Sequence, residues 1–359
     1  MDKIKRRKTK LIRIGNILIG GNNPVAIQSM AKTKTSDISQ TVRQINELGQ
    51  AGCEIVRLAV KDHTDAKALK DIKKKTNIPL VADIHFDWRL ALEAIDAGID
   101  KIRLNPGNIY KKNQIFKVAR AAKLNGIPIR VGLNSGSARN IRTKNSKLSA
   151  PELMVKSALG YIRTLERAGF YDIVVSLKGS NIFDTVEAYR RMSRLCDYPL
   201  HLGVTATGSP YSGALKSSAA LSILLFEGIG DTIRVSLTDK PQSEVKAAKV
   251  ILEALGLRCF GPEIISCPTC GRCEVDLVKV VKDLENRIQT IDHRLFARPI
   301  KLAVMGCVVN GPGEAKEADF GVAFGKKEGL LFKKGKAFKK VSIGNCANIL
   351  MEELSKEAN

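Results

Sequence analysis

Leu80-Val-Ala-Asp-Ile-His-Phe-Asp-Trp-Arg-Leu-Ala-Leu-Glu-Ala-Ile-Asp-Ala-Gly-Ile-Asp-Lys-Ile-Arg-Leu104 holds one strand, one helix and the strand that follows. Leu80–Ile84 is a short, β-branched run of the kind that forms a buried strand. An amphipathic stretch begins near Asp87, and Gly98 is placed to stop it, since glycine readily adopts the left-handed helix end. Lys101–Leu104 is the next run. The same two textures alternate through the first 256 residues. The runs fall at Val25–Ser29, Glu54–Val60, Leu80–Ile84, Lys101–Leu104, Ile127–Leu133, Asp172–Leu177, Leu200–Val204 and Thr232–Leu237. Helical stretches begin near Asp37, Thr64, Asp87, Lys112, Pro151, Phe183, Gly213 and Pro241. Ser36-Asp37 and Ser149-Ala-Pro151 suit helix starts, and Gly52, Gly126 and Gly169 suit stops.

Strand then helix, eight times over, is the count of a TIM-type (β/α)8 barrel. A doubly wound sheet would carry a glycine fingerprint after its first strand, and Gln28-Ser-Met-Ala-Lys32 has none. Residues 1–23 precede the barrel, with Leu11–Leu18 read as a small hairpin closing its bottom. From Cys259 the texture changes. Residues 259–359 read as a second, small α/β domain after a barrel of residues 1–258. Its expected elements are a helix at Glu274–Ile291, strands at Lys301–Met305 and Asp319–Phe324, a hairpin near Gly329–Gly335 and a last helix at Ala347–Ser355.

At 359 residues the chain is too long for one ordinary core, which agrees with two domains. No apolar run approaches a bilayer span, and the basic segment Met1–Lys10 leads into no apolar signal core. A cytoplasmic protein is expected, without membrane contact, and its eight cysteines then point to metal or catalysis rather than disulfides. The net charge of +23 raises nucleic-acid binding. The charge is spread along the chain, however, and aromatic residues are only 5%, so stacking platforms are few. A lysine-rich solvated surface is the simpler account. Residues Asn134–Ala150 form a long connection carrying Arg139, Arg142, Lys144 and Lys147, read either as a cationic lid or as a solvated loop.

In such barrels chemistry gathers at the C-terminal ends of the strands. Those ends carry Arg57, Asp83 with His85, Arg103 with Asn105, Arg130 with Asn134, Ser176 with Lys178, His201 with Thr205, and Arg234 with Ser236. Residues two apart on a strand share a face. So many cations in one mouth call for an anion, most simply a phosphate or diphosphate held by arginine forks. The plainer account pairs single arginines with Asp83, Glu54 or Asp172. It covers any one of them more easily than the whole set.

The second domain carries Cys267-Pro-Thr-Cys270-Gly-Arg-Cys273 and Met305-Gly-Cys307-Val-Val-Asn310-Gly-Pro-Gly-Glu314. Cys-Pro-x-Cys-Gly resembles a zinc knuckle, whereas Cys-x2-Cys-x2-Cys is a spacing of iron–sulfur proteins. By spacing alone the fourth ligand beside Cys267, Cys270 and Cys307 is either Cys273 or Glu314. A carboxylate ligand would leave one iron labile. A zinc-stabilised, basic nucleic-acid-binding protein is the alternative function. Cys53, Cys196, Cys259 and Cys346 read as small buried hydrophobes.

Asp83-Ile-His-Phe, Arg103-Leu-Asn-Pro-Gly107, Gly132-Leu-Asn-Ser-Gly, Glu227-Gly-Ile-Gly-Asp-Thr-Ile-Arg-Val-Ser236 and the two cysteine motifs together resemble the bacterial 4-hydroxy-3-methylbut-2-enyl diphosphate synthase family. The match runs in order over nearly the whole chain. The resemblance implies a TIM barrel joined to a [4Fe–4S] domain in a homodimer, the barrel of one subunit facing the cluster of the other. The implied reaction is reductive opening of 2-C-methyl-D-erythritol 2,4-cyclodiphosphate, in isoprenoid biosynthesis, with flavodoxin or ferredoxin as electron donor. It implies Cys267, Cys270, Cys307 and Glu314 as cluster ligands, leaving Cys273 out. Arg57, Arg103, Arg130, Lys178 and Arg234 would hold the diphosphate, with Asp83, His85, Asn105, Asn134, Ser176 and Ser236 around the substrate. Asn310 would orient the leaving oxygen and Glu314 handle protons. Two stretches depart from the family pattern. His201-Leu-Gly-Val-Thr-Ala206 has alanine where the family motif has glutamate, and Phe260-Gly261 stands where an Arg-Gly pair is usual.

Overall fold

The computed structural model describes residues 4–136, 148–205, 208–288, 291 and 300–357. The cationic stretch Arg139–Lys147 and Ala206 lie outside the described residues. The chain divides into two compact units, Met1–Arg258 and Cys259–Asn359.

The first unit opens with an antiparallel hairpin, β1 (Ile12–Ile14) and β2 (Ile17–Ile19), turned at Gly15 with φ +56°. Eight parallel strands follow: β3 (Ala26–Met30), β4 (Ile55–Val60), β5 (Leu80–Ile84), β6 (Lys101–Leu104), β7 (Ile129–Asn134), β8 (Ile173–Lys178), β9 (His201–Leu202) and β10 (Thr232–Ile233). They form one sheet in the order β8-β7-β6-β5-β4-β3-β10-β9. A parallel bridge between Val175 and Leu200 joins its two edges, so the sheet closes into a barrel. The helices between them are α1 (Ile38–Gln50), α2 (His63–Lys74), α3 (Trp88–Asp96), α4 (Lys112–Leu124), α5 (Ala150–Arg167), α6 (Ile182–Leu195), α7 (Pro210–Phe226) and α8 (Pro241–Ala254).

Local chemistry explains these elements. The barrel strands are buried on both faces and so are mostly apolar, with polar residues such as Arg57, Asp83, Ser176 and Lys178 set among Val, Ile and Leu. Asp37, Asp62, Asp87 and Asn181 cap helices by accepting backbone N–H bonds, and Ser149 with Glu152 makes a full capping box. Gly98 ends α3 with φ +80°, a conformation that penalises any side chain. The hairpin does close the bottom: Ile12, Ile14 and Ile19 form one apolar cluster with Ala26, Ile55, Val81 and Val174 of the strands.

The second unit contains β11 (Glu263–Ser266), α9 (Leu277–Ile288), β12 (Lys301–Met305), α10 (Gly311–Glu317), β13 (Phe320–Phe324), β14 (Glu328–Lys333), β15 (Lys336–Ser342) and α11 (Cys346–Glu357). Its five strands pair in chain order, the first three parallel and the rest antiparallel. One face of the sheet packs on α9 and α11 through Leu284, Val304, Val322, Leu350 and Leu354. The other face takes α10 through Ala303, Met305, Ala315 and Ala323. The first helix is shorter than expected, because Asp276 accepts from the Lys279 N–H (3.1 Å) and so sets its start. Two elements escape the sequence reading: β11 is four mostly exposed residues, and α10 begins Gly-Pro-Gly. Among the described residues no helix is long and apolar enough to cross a membrane.

Candidate functional site

The strand cations converge inside the barrel. Arg57 is mid-strand in β4 rather than at its end, and Arg130 is the second residue of β7, so both lie deeper than a mouth position. Asp83 of β5 organises them. Its Oδ1 accepts from Arg103 Nη1 at 2.9 Å, and its Oδ2 stands 3.5 Å from both Arg57 Nε and His85 Nε2. Burial pushes the Asp83 carboxyl up, but Arg57 and Arg103 win and hold it well below the usual carboxylate range. Burial likewise lowers Arg57 to about 9 against the raising effect of Asp83, with Arg234 and Arg103 lowering it further. Arg103 also donates to the Gly132 carbonyl at 2.8 Å.

Two glycines make room for these side chains. A Cβ on Gly132 would stand 2.6 Å from Arg103 Nε, and one on Gly203 would stand 2.9 Å from Lys178 Nζ. Arg234, just beyond β10, pairs with Glu244 of α8 at 3.7 Å. Glu244 also accepts from Ser29 Oγ and the Leu237 N–H, each at 3.1 Å. The plainer account therefore holds for Arg57, Arg103 and Arg234, although the last partner is Glu244. Glu54 instead pairs with Arg258.

That account fails for the rest. Arg57, Lys101, Arg103, Arg130 and Lys178 are all buried, and among the described residues only Asp83 and Glu244 stand against them and Arg234. Arg130 is 1% exposed, and among the described residues its Nε and Nη1 have no hydrogen-bond partner. Burial, then Arg57 and Arg103, push the Arg130 guanidinium well below its ordinary range; burial, then Arg234, do the same to the Lys178 ammonium. Buried guanidinium nitrogens without acceptors are costly, and a multivalent oxyanion is the partner that fits several at once.

Around this centre, Ser176 is buried in β8, and Asn134 and Lys178 end β7 and β8 in register with each other. Asn105 is buried, its Oδ1 accepting from the Gly107 N–H at 3.1 Å. His85 is half-exposed. Ser236 lies two residues past Arg234. His201 is fully buried, its Nδ1 2.8 Å from Thr232 Oγ1. Sequence reasoning missed Lys101, Gln28 and Glu244. Lys101 was legible, since it lies two residues before Arg103 on the same strand face. Glu244 sits on a helix, where no strand period points to it.

In the second unit Cys267, Cys270, Cys273 and Cys307 lie on the turns at the ends of β11 and β12. Thr269 takes φ +52° to make the first turn. Cys267 Sγ accepts from the Gly306 N–H at 3.3 Å. The backbone N–H and then the side chain of Arg272 pull the exposed Cys270 thiol down. The N–H groups of Asn310, Val309 and Gly311, helped by Arg272, do the same for Cys307. Cys267, Cys270 and Cys307 thus each have a donor beside the sulfur. Cys273 acts as a donor instead. Its Sγ turns inward and donates to the Val275 carbonyl at 3.2 Å, occupying space that a Cβ on Gly306 would fill. Asn310 and Glu314 are exposed at the start of α10. Among the described residues no three His, Cys, Asp or Glu side chains gather tightly round one metal ion. Cys53 and Cys346 are buried as expected, whereas Cys196 and Cys259 are only half-buried.

Fold and side chains together define a (β/α)8 barrel with a cationic interior, followed by a small α/β domain bearing a group of donor-supplied thiols. The family model described as the GcpE TIM-barrel domain matches residues 9–249, and that of the GcpE protein C-terminal domain matches residues 263–356. The chain belongs to the GcpE family and is an enzyme of it. It is 53% identical over 355 residues to a 4-hydroxy-3-methylbut-2-en-1-yl diphosphate synthase (flavodoxin) of Caldanaerobacter subterraneus, with 98% of each chain covered. Synthases of the same name from Fusobacterium nucleatum (52%, covering 98% of this chain and 96% of theirs) and Bacillus anthracis (49%, 98% and 94%) are similar. Among solved structures the chain resembles dihydropteroate synthase from Yersinia pestis, with TM-score 0.51, 12% identity, and 68% and 98% of the two chains covered. That likeness is one of barrel fold alone. None of these matches supports the nucleic-acid alternative.

Proposed function

We infer that this chain is a flavodoxin-dependent 4-hydroxy-3-methylbut-2-en-1-yl diphosphate synthase. It opens the ring of 2-C-methyl-D-erythritol 2,4-cyclodiphosphate and releases the linear allylic diphosphate, taking up two electrons and two protons and losing one oxygen as water. The observation that carries the reading is the surplus of buried cations round Asp83, with two Arg130 nitrogens lacking acceptors among the described residues. A cyclic diphosphate supplies those acceptors.

Cys267, Cys270 and Cys307 are the thiolates that would hold a [4Fe–4S] cluster, with Glu314 as the fourth ligand. The donor set fits: each of these thiols has N–H groups or Arg272 beside it, and Cys273 is committed to a backbone carbonyl. When bound, such a cluster supplies single electrons and a Lewis-acidic iron. The chain does the rest. Arg57, Arg103, Arg130, Lys178 and Arg234 clamp the diphosphate and hold the ring in one orientation. Asp83 keeps Arg57 and Arg103 aimed, while Asn105, Asn134, Ser176, Ser236 and His85 surround the carbon skeleton. Asn310 donates to the leaving oxygen, and Glu314 handles its proton. The protein works as a homodimer in the cytoplasm, with flavodoxin or ferredoxin as donor.

Anaerobic purification tests this. The expected protein is brown, absorbs broadly near ~400 nm, binds about four irons per chain and turns over the cyclodiphosphate with reduced viologen. A colourless, zinc-loaded protein, or a fully loaded cluster without turnover, would overturn the reading.

A further inference from the structure

Beneath the anion site lies a layer that the proposed reaction does not use. Lys101 opens β6 two residues before Arg103, so both face inward, about 7 Å apart along the strand. Lys101 is fully buried. Its Nζ donates to a neutral group, Gln28 Oε1, at 3.3 Å, and among the described residues it makes no ion pair. The charged groups facing it are Arg130 of β7 and Arg57 of β4. His201 of β9 faces the same space, and among the described residues its Nε2 and the Nε2 of Gln28 lack partners. Val81, Ile55 and Val174 are the apolar register partners of Lys101, Gln28 and Arg130.

An ammonium ion buried beside two guanidinium groups, with only an amide for company, is strongly disfavoured and sheds its proton. Burial first, then Arg130 and Arg57, hold Lys101 well below the ordinary lysine range. Burial and the same cations act on His201 in the same direction. A polyanion above this layer reverses the sign of the local field, and in a low-dielectric interior that reversal reaches one residue layer down.

We propose that Lys101 takes up a proton when a phosphate-class polyanion enters the barrel, and so becomes a second, buried cation under the anion site. The proton comes from the buffer through the open end of the barrel. The inference rests on the barrel interior being the anion site. Binding raises the proton affinity of Lys101, so the bound form holds more protons than the empty one. Anion affinity therefore falls as pH rises from the value for empty Lys101 to that for occupied Lys101. Lys178 titrates in the same interior and His201 lies beside Lys101, so the Lys101 share is read as a difference between two proteins. Lys101 is a positioning residue: it touches no reacting atom.

The test is calorimetric titration of the cluster-loaded full chain with inorganic pyrophosphate at about pH 8. Two buffers of different ionisation enthalpy give the protons taken up per site. Changes in protonation of pyrophosphate itself are common to both proteins and cancel. Lys101→Met should take up fewer protons than the parent by about half to one per site, and bind pyrophosphate roughly tenfold more weakly. Its empty form should melt no lower than the parent, because an unpaired buried amine has been replaced by a thioether of similar length. Lys101→Gln should show the same proton deficit and serves if the methionine variant folds poorly. Equal proton uptake in parent and variants would overturn the proposal and leave the anion site standing. No pyrophosphate binding by the parent would overturn the anion site, and this inference with it.

Discussion

Asp83→Asn removes the one carboxylate that two arginines and His85 share, while keeping its shape. In the parent, Arg103 donates to it at 2.9 Å, with Arg57 and His85 at 3.5 Å, and the carboxylate is 2% exposed. Removing one partner of a buried pair costs about 3–5 kcal/mol, because the other charge is left uncompensated. Arg103 keeps its bond to the Gly132 carbonyl and Arg57 keeps Met30 Sδ at 2.8 Å, so the lower end, about 3 kcal/mol, is the expected loss. That is a large share of the ~5–15 kcal/mol typical of a domain. Urea unfolding of parent and variant, each with and without saturating pyrophosphate, measures it. Pyrophosphate at about one hundred times its dissociation constant stabilises either protein by about 2.7 kcal/mol. At equal concentration the variant should gain more, since the ligand replaces the charge it lacks. The acid limb supplies a second readout. The folded Asp83 carboxyl lies below its unfolded value, so its stabilisation is complete above the ordinary range of about 4 and is lost as pH falls through the folded value. The variant should therefore lose stability less steeply than the parent below about pH 4. A cost under about 1 kcal/mol, with no extra rescue by pyrophosphate, would refute the view that Asp83 restrains a standing excess of positive charge.

Gly132→Ala places a Cβ 2.6 Å from Arg103 Nε; it should drive that side chain off Asp83 and weaken pyrophosphate binding roughly tenfold, with iron content unchanged. Binding as tight as in the parent would show that Arg103 is not part of the anion site. Cys273→Ser should keep the parent's iron and absorption, whereas Cys307→Ser should lose them; equal loss would return Cys273 to the ligand set. In metal-free protein, iodoacetamide followed by mass spectrometry should label Cys270 first. It is exposed with its thiol pulled down, whereas Cys53 is buried and pushed up to about 12 and should stay unlabelled. Faster labelling of Cys273 than of Cys270 would contradict the inward orientation of its sulfur.

The barrel was legible because parallel strands buried on both faces must be written as apolar runs, and Leu80–Ile84 and Lys101–Leu104 have the same bounds in sequence and structure. The edges of the small domain were not legible. Glu263–Ser266 is a strand by virtue of its register with Lys301–Val304, which leaves no local trace. The Gly-Pro-Gly at residues 311–313 signals a break, yet proline suits the first turn of α10, and Gly311 and Gly321 allow that short helix to lie against β13. In the candidate site, the period of two brought Arg103 and Asn105 to one face. The same rule carried one step back would have added Lys101. Glu244 and Gln28 could not be found so, because their roles depend on packing between elements distant in sequence. Cys273 shows the converse: spacing offered it as a fourth thiol, and its orientation, beside a glycine that leaves it room, sets it aside.

The β1–β2 hairpin gives the barrel a stopper. With an apolar plug at one end, the field of the enclosed cations cannot leak out of both ends and emerges from the other alone. A low-dielectric well open on one side acts as an electrostatic funnel, drawing anions toward its rim before any contact is made. Capture should therefore be fast at low ionic strength and slow steeply with added salt, while the hairpin itself never meets the ligand.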